Sequence, residues 1–140
     1  MPLSRGFSLI ELLVVLAIVG ILLGVALPAY QSSVIKSRRS DAMAALVDVA
    51  SRQERWRFSH NRYSNDLRAL GYADDPLVTD GGHYRLTVDA CPDATLATCF
   101  LLTAMPVPGS SQATDTRCAS LTLDARGSRQ ATGSDPASCW

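Results

Sequence analysis

The hydrophobic and polar positions of this chain follow three successive patterns. From Phe7 to Ile35 the only charged side chain is Glu11, and from Leu12 to Leu27 every residue is apolar. A helix from Phe7 to Pro28 would be roughly 33 Å long, enough to cross a hydrocarbon core of about 30 Å. Beyond Tyr30 the pattern turns amphipathic. Ile35, Ala42, Leu46, Val49 and Trp56 recur at spacings of seven, four, three and seven, which marks one helix face continuing to residue 58. Lys36, Arg39, Asp48, Arg52 and Arg55 are assigned to the other faces, and Trp56 and Phe58 to contacts with a sheet. Residues 59–82 show no period. Asp66 to Gly71 fits one helical turn, and Asp74-Asp75-Pro76 and Asp80-Gly81-Gly82 fit turns.

From His83 the period becomes two. Tyr84, Leu86 and Val88 alternate with Arg85, Thr87 and Asp89 as a half-buried strand. Cys99 to Met105 gives a second strand, stopped by Pro106 and Pro108. Ala119, Leu121 and Leu123 alternate with Cys118, Ser120, Thr122 and Asp124 as a third, ended by Gly127, and a short fourth fits Arg129 to Thr132. Short connections between them predict an antiparallel meander lying on the amphipathic half of the helix. The fold class is therefore α+β: one long helix on a three- to four-stranded antiparallel sheet.

Three residues weaken the apolar rod. Pro28 removes a helical hydrogen bond, and Gly20 and Gly24 each cost about 1 kcal/mol relative to alanine. The rod is expected to be softest from Gly20 to Pro28. The same glycines make a G-x-x-x-G step that allows close helix packing. Glu11 is the sharper anomaly. An ionised, unpaired carboxylate in lipid costs several kcal/mol, so it needs a partner or a task.

Gly6-Phe7, a hydroxyl residue, two aliphatics, then Glu11 and the apolar run resemble the class III signal of type IV pilins and pseudopilins. The resemblance implies cleavage after Gly6 and N-methylation of Phe7 by a prepilin peptidase/methyltransferase. Glu11 becomes the fifth mature residue, an assembly residue compensated by a free N-terminal amine. It also implies the segmentation: 1–6 a leader, 7–58 the helix with 7–28 its transmembrane and assembly part, 59–82 a connector, 83–140 the sheet and disulfide region. His60-Asn61-Arg62-Tyr63-Ser64 resembles the turn that follows pilin helices. Cys118-x-x-Leu121-x-Leu123, Gly127 and Cys139-Trp140 resemble the ending of PilE-type minor pilins.

Composition adds compartment and partners. Thirteen basic and thirteen acidic residues give a formal charge of zero, so nucleic-acid binding is left open but not indicated. Lys36, Arg38 and Arg39 follow the apolar run, which by the positive-inside rule places the following domain in the cytoplasm. Four cysteines with no Cys-x-x-Cys pair argue for an oxidising compartment, and long domains translocate largely regardless of flanking charge. The reading is a single pass in the inner membrane with the domain in the periplasm, and an extracellular pilus afterwards. Four cysteines allow three pairings. The pilin resemblance selects Cys118–Cys139, a loop of about 20 residues worth roughly 3 kcal/mol, and leaves Cys91–Cys99. Zinc is the alternative for four cysteines; their wide spacing argues against it.

No P-loop, G-x-S-x-G, H-E-x-x-H or dinucleotide fingerprint is present, and His60 and His83 read as satisfied surface histidines. The chain is not expected to be an enzyme or to hold a cofactor or metal. The expected function is a structural subunit, a minor pilin, partnered by other pilins through the helix and by an inner-membrane assembly platform. A pseudopilin of a type II secretion system and a single-span anchored binding domain are the alternatives.

Overall fold

A computed structural model describes residues 6–140; Met1 to Arg5, most of the expected leader, lie outside the described residues. Helix α1 runs from Leu9 to His60 and is helical through Gly20, Gly24 and Pro28. Five strands follow: β1 (Leu77–Val78), β2 (Tyr84–Ala90), β3 (Phe100–Pro106), β4 (Ser120–Asp124) and β5 (Arg129–Thr132). Each pairs antiparallel with the next, in the order β1-β2-β3-β4-β5. The chain forms two compact units that divide between Val34 and Ile35.

In the first unit every described residue up to Ser33 is exposed. The second unit holds the core. Because side chains alternate across a strand, the pairing register decides which set is buried. Here it aligns an apolar row across all five strands: Leu77, Leu86, Ala104, Leu121 and Ala131. A second inward row sets Val88 beside Leu102 and Leu102 beside Leu123. Ala42, Leu46 and Val49 of α1 join these rows, with Tyr63, Leu67 and Leu70 from the connector. Each large side chain buried in this way contributes roughly 1.5–3 kcal/mol.

The sheet gains a strand over the three or four expected, because Leu77–Val78 inside the connector pairs with β2. Two residues cannot carry a readable period of two, so no pattern in the sequence marks them. The expected turn at Asp66–Gly71 is a 3-10 turn, Leu67–Leu70. Asp66 caps it by accepting from the Arg68 N–H, and Gly71 closes it at φ +91°.

Two assignments on α1 are corrected. Arg39 is buried rather than solvated, and Gln53 is fully buried beside it in the sequence pattern. The buried set Arg39, Ala42, Leu46, Val49, Gln53 steps by three and four. The two gaps of seven in the apolar pattern are therefore each filled by a buried polar residue. Phe58, assigned to a sheet contact, is 92% exposed. Trp56 does pack against the core, and its ring stacks on His60 with centroids 3.6 Å apart.

Candidate functional site

The first candidate site is the start of α1. Gly6 and Phe7 precede the helix, with Phe7 85% exposed. The Ser8 carbonyl accepts from the backbone N–H groups of Glu11 (3.1 Å) and Leu12 (3.2 Å), which opens the helix. Glu11 lies in the first turn, where the helix dipole favours an anion. Its side chain is exposed and has no ion-pair or hydrogen-bond partner among the described residues. Around it Leu9, Ile10, Leu12 and Leu13 are all more than half exposed. Gly20 and Gly24 open onto empty space, since a Cβ at either would meet nothing within 4 Å. This surface has the length and hydropathy to cross a membrane.

In the second unit, polar groups clamp the loops to the helix. Arg39 Nε and Nη2 donate to the two carboxylate oxygens of Asp115 at 2.6 and 2.9 Å, and both side chains are buried. The Gln112 amide donates to the Tyr84 hydroxyl (2.9 Å) and to Asp115 (3.1 Å). The segment between β3 and β4 is thus tied to the helix by a bidentate pair, the strong form of charged hydrogen bond. Gln53 makes a reciprocal pair with Ser64, donating to its carbonyl at 2.7 Å and accepting from its N–H at 2.9 Å. That bond fastens the connector just after the helix ends at His60 and the chain turns at Asn61, whose φ is +55°.

Tyrosines reinforce the same seam. The Tyr63 hydroxyl donates to Glu54 and accepts from Arg57, while its ring packs edge-on against Phe100. Tyr72 donates to Asp48 beneath the Arg52 guanidinium. Burial first, and the neighbouring carboxylate second, push the Tyr63 and Tyr72 hydroxyls above their ordinary pKa. Tyr84 is raised chiefly by burial.

The cysteines form two bonds, Cys91–Cys99 and Cys118–Cys139, with Cα atoms 5.5 and 5.8 Å apart. Between Cys118 and Cys139 the chain folds back on itself. Gly133 sits at φ +134°, and a Cβ there would collide with the Arg117 carbonyl. The Trp140 indole N–H donates to the Gln130 carbonyl at 2.7 Å, covering an acceptor on edge strand β5, and the Arg129 guanidinium lies over its ring. His83 departs from the surface reading: its Nδ1 is buried and unpartnered.

Sequence and geometry now meet the known proteins. Residues 28–122 match the family described as "Type IV minor pilin ComP, DNA uptake sequence receptor". The chain belongs to that type IV pilin family. Residues 1–27 of this pilin match the prokaryotic N-terminal methylation motif. Among similar proteins is a fimbrial protein of Neisseria meningitidis, 38% identical over 96 residues, covering 69% of this chain and 55% of that one. The type IV major pilin protein PilE1 of Neisseria gonorrhoeae is 38% identical over 83 residues, 59% of this chain and 50% of its own. The matched part of this pilin spans about half the length of such relatives. A type IV pilin structure from Shewanella oneidensis superposes with a TM-score of 0.50 at 25% identity, covering 76% of this chain and 97% of that one. These are structural subunits, and the fold is a pilin fold, not that of an enzyme family.

Proposed function

We propose that this chain is a minor subunit of a type IV pilus that serves DNA uptake. The observation that carries the pilus role is the exposed apolar first half of α1, Leu9 to Ser33, with Glu11 as its one charge. Such a surface is satisfied in lipid or in the core of a helical filament, so assembly exchanges lipid contacts for contacts between helices. The DNA role rests on the family description, which names a DNA uptake sequence receptor. The methylation motif supports processing after Gly6 and N-methylation of Phe7. Before assembly the precursor spans the inner membrane with its disulfide-bearing unit in the periplasm. Other pilins, the prepilin peptidase and the assembly platform are its partners.

Glu11 sets the axial register. Cleavage releases the Phe7 amine four residues away, and a neighbouring subunit's amine can neutralise the carboxylate only in one register. Removing one partner of a buried pair typically costs about 3–5 kcal/mol, enough to lower incorporation by orders of magnitude. The test is intact mass of the mature protein together with the amount of Glu11→Gln in sheared pili relative to its membrane pool. The expected result is a mature chain starting at N-methylated Phe7 and a variant that is processed but excluded from pili. Normal incorporation of Glu11→Gln overturns the register role.

A further inference from the structure

The head, Ile35 to Trp140, is electrically lopsided. Residues 52–62 carry four arginines against one glutamate, a net charge of +3, while the rest of the head carries eight basic against eleven acidic residues. The cationic groups therefore gather where α1 ends, on a domain whose overall charge is balanced. Most other arginines of the head are committed. Arg39, Arg68 and Arg117 pair with Asp115, Asp66 and Asp135, and Arg38 donates to Ser111.

At the end of α1 the commitments are fewer. Arg55 and Arg62 are exposed and have no ion-pair partner among the described residues. Arg52 and Arg55 line a cleft of about 370 Å³ with Trp56, Ser59, Ala69 and Leu70. Arg52 holds its wall by donating to Asp48 and to the Leu70 carbonyl. Glu54, the one acid of the segment, is engaged by the Tyr63 hydroxyl, which also receives the Arg57 guanidinium. Phe58 lies one helical turn from Arg55, and Arg62 follows the helix end two residues after His60, so this short segment presents two unpaired guanidinium groups and an exposed ring.

A plainer account competes. Basic residues in the last turn of a helix complement its dipole, worth about 0.3–1 kcal/mol. That accounts for Arg57 and His60 in the last turn. It does not account for a phenylalanine left 92% exposed among them. An aromatic ring in water beside unpaired cations is the combination that binds nucleic acid: guanidinium groups on phosphates, the ring against a base.

We infer that the C-terminal end of α1 is a DNA-docking site, in which Arg55 and Arg62 contact phosphates, the Arg52/Arg55 cleft seats the backbone and Phe58 packs on an exposed base. This rests on the DNA-uptake reading and names the surface that carries it. All three side chains are exposed, so their removal leaves the core intact.

The test uses the full-length chain in a neutral detergent and a fluorescent 20-base-pair duplex carrying a short single-stranded overhang, which supplies the exposed bases, titrated across a salt series. Each lost phosphate contact lowers the slope of log K against log salt by about 0.9. Arg55→Ala with Arg62→Ala should flatten that slope by about 2 and weaken binding ten- to a hundredfold at low salt. Phe58→Ala should weaken binding several-fold and leave the slope unchanged, a split that a general charge effect does not produce. Arg126→Ala with Arg129→Ala, on and beside β5, is the control and should retain wild-type binding. If the triple Arg55/Phe58/Arg62 variant binds like wild type, or only the β5 control loses binding, the proposed site is wrong and the DNA reading stands. If the wild-type chain binds no DNA, both fall. Equal loss of binding to DNA and to polyglutamate, with no Phe58 contribution, overturns the base contact and leaves a plain anion patch.

Discussion

The two halves of helix α1 differ in what surrounds them and in what a charge does there. From Leu9 to Ser33 no side chain is buried, although nearly all are apolar; from Arg39 to Gln53 five are buried, and two of the five are polar. In the first half the helix satisfies its own backbone and leaves its apolar side chains for partners outside the chain. There Glu11 is the one charge among apolar side chains. In the second half the partners are within the chain, and buried polar groups specify which loop docks where. Arg39 reaches the β3–β4 segment, and Gln53 reaches the start of the connector. Stability of the head and competence of the rod should therefore be separable by mutation.

The largest separation comes from the buried pair. Arg39→Leu leaves Asp115 charged and buried without its partner and should destabilise the head by about 3–5 kcal/mol. Tryptophan fluorescence during denaturation reports it, because Trp56 and Trp140 both lie in the head. Adding Asp115→Leu should restore much of the loss. A truncation of similar size in the first half, Leu16→Ala, should leave that transition unmoved, since Leu16 is 59% exposed. A shifted transition for Leu16→Ala would break the separation.

The disulfides come next. Replacing Cys118 and Cys139 together by serine should lower head stability by about 2–5 kcal/mol, because the unfolded chain regains the entropy of a loop spanning 21 residues. Helix content and membrane retention of the first half should not change. A circular dichroism signal that collapses with the bond removed would show that the helix depends on the head.

The smallest effect sharpens the seam itself. Tyr72→Phe removes one hydroxyl contact to Asp48, worth about 1 kcal/mol. Its pH dependence is more telling than its size. The folded hydroxyl titrates above its ordinary value near 10, so its contribution is complete below that pH and is lost as pH rises through the raised value. Tyr63 and Tyr84 act in the same direction. Wild-type stability should fall above about pH 10, and Tyr72→Phe should remove part of that fall. An unchanged alkaline limb would place the hydroxyl in water.

The apolar rod, the amphipathic continuation, three strands and the short β5 were legible because each repeats over enough residues to declare its period. Arg39 and Gln53 were not, although their signal was present. They fall in the two gaps of a three-four repeat, and counting only apolar residues skipped them. Phe58 failed in the opposite sense, since an aromatic residue on a helix was read as a core contact. Nothing local says whether a neighbour arrives to cover it.

By itself the sequence determined which stretches are apolar, with what period, and which side chains carry isolated charge, because hydrophobic period and charge are properties of the chain alone. Glu11 is anomalous before any coordinate is known. The tertiary structure alone decided partners across long separations. Asp115 lies 76 residues from Arg39, and Gln112 lies 28 from Tyr84. It also decided that Gly133 must be glycine, where a Cβ would meet the Arg117 carbonyl, and that Trp140 covers the edge of β5. These depend on how strands twist and loops return, and that geometry is fixed by packing the whole core at once, not by any short run of residues.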